Sequence, residues 1–145
     1  MSARSEHPLV TSADLTPSDE SLLEERGWHR MDVKWLITRA SMGSAKTVVG
    51  RTFFPPGSKH DLHRHPNAEE WEFVISGEGV KRVGDEAFVI RAGDVVFCPQ
   101  DVYHGLENTS ETEPLLTIWG YCGAGSLEEA GYVLPADDEG GRPAP

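Results

Sequence analysis

The stretch GSKHDLHRHPNAEEWEFVISG, residues 57–77, decides the reading of this chain. His63 and His65 stand two positions apart, and on a strand that spacing turns both imidazoles to one face. Pro66-Asn67-Ala68 then makes a short turn, and Glu70 opens a run rich in strand formers. Further on, GDVVFCPQDVYHGLEN, residues 93–108, places His104 just after the turn material Pro99-Gln100-Asp101. Three imidazoles and one carboxylate form a mixed nitrogen and oxygen donor set, suited to Fe, Mn, Ni, Co, Zn or Cu rather than to Ca or Mg. His63, His65, Glu70 and His104 are therefore candidate ligands of one divalent transition-metal ion.

Outward from these stretches the texture is that of short strands. Strand-like runs at 33–38, 47–54, 60–65, 70–75, 80–83, 86–90, 95–98, 104–107 and 115–121 are separated by turn formers. That is the spacing of an all-β sandwich or barrel, and no segment from 31 to 121 has helical periodicity. The chain divides into an arm over 1–30, a barrel over 31–122, a short helix and strand extension over 123–135, and a tail over 136–145 expected to be disordered. Within the arm, Thr16-Pro17-Ser18-Asp19-Glu20 reads as a helix start, with Gly27 as its stop. Within the extension, Ser126 caps a helix that Gly131 ends.

The length of 145 residues suits one domain. Lys and Arg number 13 against 24 Asp and Glu, a net charge of −11 that repels phosphate backbones and anionic lipid. Nucleic-acid and membrane partners are thereby excluded, and no apolar run is long enough to span a bilayer. The acidic N-terminus lacks a signal-peptide core, so the expected location is the cytoplasm. Cys98 and Cys122 read as buried free thiols.

The two stretches resemble the paired motifs of the cupin superfamily. The first matches in full, from Gly57 through His63, His65 and Glu70 to Gly77. The second, from Gly93 through Pro99 and His104 to Asn108, departs only at Asp101, which stands where glycine is usual. Aspartate tolerates a left-handed backbone better than most residues, so the departure is mild. Glu69 competes with Glu70 for the ligand role, but only Glu70 keeps the six-residue spacing to Gly77. The resemblance covers about residues 50–110 and implies a double-stranded β-helix, the jelly-roll barrel, with the metal held inside. It implies a homodimer as well, to which the arm could contribute, and it gives Asn108 a task beside the ligands, bonding a turn and orienting His104.

Alternation from Glu70 sends Glu72 inward, where a carboxylate lining a metal pocket is a candidate general acid or base. His60 lies an odd number of positions before His63 and should face away. Trp119 and Tyr121 share one face of the last strand and could line the mouth of a substrate pocket. Lys34, Arg39 and Arg51 on the early strands could anchor an anion, but solvated faces suit them better.

The leading functional expectation is a metal-dependent enzyme acting on a small oxygenated organic molecule, with an Fe(II) dioxygenase first. A non-redox lyase, isomerase, decarboxylase or cyclase using Zn, Ni or Mn is the alternative chemistry. A metal-bearing module that binds a small ligand without turnover is the alternative from another class.

Overall fold

A computed structural model describes residues 7–138. Ten strands follow in chain order: β1 (Trp28–His29), β2 (Asp32–Ile37), β3 (Thr47–Phe54), β4 (Lys59–His63), β5 (Glu69–Ser76), β6 (Glu78–Val83), β7 (Glu86–Arg91), β8 (Val95–Cys98), β9 (His104–Glu107) and β10 (Leu115–Cys122). They form two antiparallel five-stranded sheets, ordered β1-β4-β9-β6-β7 and β2-β3-β10-β5-β8. Apart from the hairpin partners β2-β3 and β6-β7, successive strands pass between the sheets, so the chain wraps its interior as a jelly roll rather than stacking two meanders.

Alternation explains which face is buried. On β5, Glu70, Glu72 and Val74 are buried while Phe73 and Ile75 are exposed. On β10, Leu115, Thr117, Trp119 and Tyr121 are buried, which turns Cys122 outward; it is exposed, and only Cys98 is a buried thiol. The apolar interior falls into two clusters. Phe54, Val74, Ile90, Val96, Cys98, Leu106 and Leu115 fill one end, each large aliphatic or aromatic side chain contributing about 1.5–3 kcal/mol by leaving water. Trp28, Val33, Val48, Ala68, Trp119, Tyr121, Ala124 and Ala130 pack the other, and Met31 touches both.

The ends of the chain depart from expectation. Among its described residues the arm forms two single 3-10 turns, Ala13–Leu15 and Glu24–Arg26, and no α-helix, because residues 16–23 offer no apolar stripe to bury. It runs along its own barrel instead: Asp19 N–H donates to Val33 O (2.8 Å), Trp35 Nε1 donates to Asp19 (2.8 Å), and Lys34 Nζ donates to Ala13 O (2.7 Å). Trp28 and His29 pair with His60 and Lys59, so sheet structure starts before residue 31. A short helix, α1 (Arg39–Met42), capped by Thr38, lies between β2 and β3, inside the stretch expected to hold only strands and turns; in the extension, α2 (Leu127–Ala130) is capped by Ser126 and followed by Gly131. The segment expected to be a free tail opens with α3 (Pro135–Asp138), held by Arg26 on Asp137 and Arg64 on Asp138. Residues 1–6 and 139–145, the rest of the arm and tail, lie outside the described residues.

Candidate metal centre

Register brings the ligand types together. His63 on β4 faces His104 on β9 as a cross-strand pair, and Glu70 on β5 lies opposite Tyr121 on β10. His65 follows the end of β4, where Arg64 bridges to Val133. One ligand atom from each of His63, His65, Glu70 and His104 falls within 4.8 Å of the others, and all four residues are buried. The turn before His104 adopts the left-handed conformation at Asp101, with φ 65°, as that motif position requires.

Each imidazole is oriented from behind by a carbonyl. Nδ1 of His63 donates to Asp61 O (2.7 Å), Nδ1 of His65 to Gly131 O (2.7 Å), and Nδ1 of His104 to Val102 O (3.1 Å). With the proton on Nδ1, every Nε2 lone pair is left for the interior, the tautomer a metal ligand needs. Nε2 of His65 and of His104 lie 3.1 and 3.3 Å from Glu70 Oε1, yet Nε2 of His104 has no hydrogen-bond partner. A buried nitrogen without a partner is costly. A divalent cation would satisfy it, and the donor set fits one.

Electrostatics keep His63 neutral and Glu70 ionised. Burial, reinforced by His60, His104 and His65, holds His63 well below the ordinary histidine range, so the imidazole is neutral. Burial alone would raise Glu70, but His104 and His65 bring it well below the usual carboxylate range, so it is the anion.

Around the ligands, Glu72 points inward as alternation demands, and it is not alone. Its Oε1 accepts from Lys81 Nζ (2.7 Å) and its Oε2 from Thr117 Oγ1 (2.7 Å). Trp119 and Tyr121 are buried in the same cavity wall; Trp119 Nε1 donates to Thr52 Oγ1 (2.8 Å), and the Tyr121 ring lies 4.5 Å from that of His65. The cavity they share with His63, Glu70, Glu72, Lys81 and His104 is small, about 20 Å³ open to the centre of a water-sized sphere, roughly one water.

Two expectations are corrected. Asn108 bonds turns as expected but makes no hydrogen bond to His104: its Nδ2 donates to Phe54 O (3.0 Å), Pro55 O (3.2 Å) and Glu113 O (2.9 Å), and the Val102 carbonyl orients His104. His60 does not face away: its ring stacks on His63 at 3.8 Å, and it lines the same cavity. The cause is a bulge, since His60 pairs with Leu106 while His63 pairs with His104, an extra residue on β4 that restores one face to an odd spacing. Three contributors were not anticipated. Tyr132 hydroxyl donates to Arg26 O (2.6 Å) and accepts from His60 Nε2 (3.0 Å), Gly131 supplies the His65 carbonyl, and Lys81 is the ammonium inside the barrel.

Fold and site together define a double-stranded β-helix protein with an interior cluster of metal-binding side chains. The chain belongs to the cupin family: residues 50–121 match the family described as Cupin domain. It is 31% identical over 106 residues to an oxalate-binding protein of Thermotoga maritima, covering 72% of this chain and 86% of that protein. It is 38% identical over 68 residues to the oxalate decarboxylase OxdC of Bacillus subtilis, but that match covers 43% of this chain and only 17% of the decarboxylase. Its fold superposes on the crystal structure of a predicted oxalate decarboxylase from Thermotoga maritima with a TM-score of 0.70, at 25% identity, over 79% of this chain and 98% of that one. No helix among the described residues is long and apolar enough to cross a membrane.

Proposed function

We propose that this cupin is a metal-dependent enzyme whose substrate is a small chelating carboxylate, about the size of a two-carbon oxyacid. The observation that carries the reading is the set of three oriented imidazoles and Glu70 converging on a cavity with so little free space. A divalent ion bound by His63, His65, Glu70 and His104 supplies Lewis acidity to a chelated oxygen, and one-electron chemistry if it is Fe or Mn. The chain's own part is to orient that ion and exclude bulk water. Glu72 is the carboxylate available to take or return a proton, each oxygen keeping a lone pair beyond the bonds from Lys81 and Thr117.

The Fe(II) dioxygenase expectation belongs to this reading, because the donor set suits Fe(II). With free space of about one water beside the ligands, even a two-carbon acid needs some opening of the cavity, and an aromatic ring needs the larger displacement of Trp119 or Tyr121. A second reading, binding without turnover, is favoured by the relative described as oxalate-binding. The test loads the protein separately with Fe(II), Mn(II) and Zn(II), then follows oxygen uptake and loss of oxalate, glycolate and glyoxylate. Metal-dependent loss of any of the three supports an enzyme. Stoichiometric binding of an unchanged acid supports the module, and failure to hold metal breaks both.

A homodimer is part of the same proposal. The outer face of β5 and β8 carries Phe73 (38% exposed), Ile75 (45%), Val95 (66%) and Phe97 (56%), an apolar patch on an edge that a second copy would cover.

A further inference from the structure

Lys81 has no part in holding the metal, yet it is 1% exposed and lines the cavity of the ligand cluster. It comes from β6 in one sheet, its partner Glu72 from β5 in the other, and Thr117 on β10 completes the group. Burial alone would push the ammonium toward its neutral form, but Glu72 and Glu70 hold it above the ordinary lysine range. The imidazoles of His63, His65 and His104 carry their proton on Nδ1, toward a carbonyl, and are neutral as metal ligands. Burial keeps His60 neutral and the Tyr121 phenol protonated, and pushes the Cys98 thiol up to about 12.

The fixed charges can therefore be counted. Glu70 and Glu72 against Lys81 leave one net negative charge, which a divalent ion converts into one net positive charge. Without Lys81 the loaded cavity would be neutral and would have no electrostatic hold on an anion. Resting on the metal reading above, we propose that Lys81 is a specificity-determining residue: by cancelling Glu72 it leaves the loaded cavity with a single positive charge, matched to a singly charged carboxylate ligand. A dianion is bound against one uncompensated negative charge and needs another source of affinity. Glu70 and Glu72 are two residues apart on one strand, about 7 Å, so a change of one charge at Lys81 or Glu72 is felt at the ligand.

The test uses the Co(II)-loaded protein, whose visible spectrum reports an anion entering the coordination sphere, with glycolate as monoanion and oxalate as dianion. Lys81→Met should weaken glycolate about tenfold and oxalate about a hundredfold, because the effect scales with ligand charge. Glu72→Gln should tighten both in the same proportions. The double variant Glu72→Gln/Lys81→Met restores the charge count and should return both affinities to within about threefold of the parent. That variant also leaves no buried charge unpaired, so it stands in if Lys81→Met does not fold. If both single variants weaken both anions alike, or neither anion responds while Co(II) content is unchanged, Lys81 is only a strut between the sheets and the inference is overturned. A parent protein that takes up no Co(II) fails earlier: it breaks the metal reading, and the inference with it.

Discussion

The two faces of β5 (Glu69–Ser76) reverse the ordinary arrangement of a strand. Its buried face carries Glu70 and Glu72, and its exposed face carries Phe73 and Ile75 beside the half-buried Trp71. An isolated carboxylate leaving water costs several kcal/mol, and a solvated Phe forgoes about 1.5–3 kcal/mol of burial. Both costs are offset by something outside the strand. Inside, Lys81, Thr117 and the imidazoles partner the carboxylates; outside, the apolar row extends across β8 through Val95 and Phe97. A strand whose two faces both run against the solvent rule shows where a molecule expects company: a cation on one side, another surface on the other.

That comparison can be broken from the inside first. His63→Ala or His104→Ala should lower metal affinity by at least about a hundredfold, measured by elemental analysis after dialysis against a chelator. Full metal retention in the His104 variant would sink the four-ligand arrangement. Glu72→Gln should keep the metal and cut turnover by about a hundredfold or more, and unchanged kcat would remove Glu72 from proton transfer. From the outside, Phe73→Glu or Phe97→Glu should shift sedimentation from dimer to monomer while leaving metal content alone. A parent protein that sediments as a monomer would leave the apolar row without an explanation. The smallest effect sharpens the alternation itself. Cys122 should react with a thiol reagent in the native state, and Cys98 only after unfolding, since one is exposed and the other buried with its thiol shifted far from reactivity.

The four ligand residues were legible because each obeys a local rule. His63 and His65 follow the two-residue period of a strand, Glu70 opens its run at the right spacing, and His104 follows a turn whose left-handed position Asp101 can occupy. Residues that depend on departures from local rules were not legible. His60 turns inward only because β4 bulges against β9, and a bulge has no signature in Lys59-His60-Asp61. Lys81 sits in Val80-Lys81-Arg82, which reads as a solvated hairpin arm, and its partner lies on the opposite sheet. Asn108 was given the task of orienting His104 by the motif resemblance, whereas its donors reach back to Phe54 and Pro55. In each case the deciding contact is long-range.

The carbonyl that fixes His65 belongs to Gly131, beyond the last barrel strand, and the ring that covers His60 and His63 belongs to Tyr132. During synthesis, then, His63, His65, Glu70 and His104 all leave the ribosome before the group that sets the last tautomer. The segment after β10 therefore belongs to the metal centre as much as the strands do, and the His65 ring is set only when that segment docks.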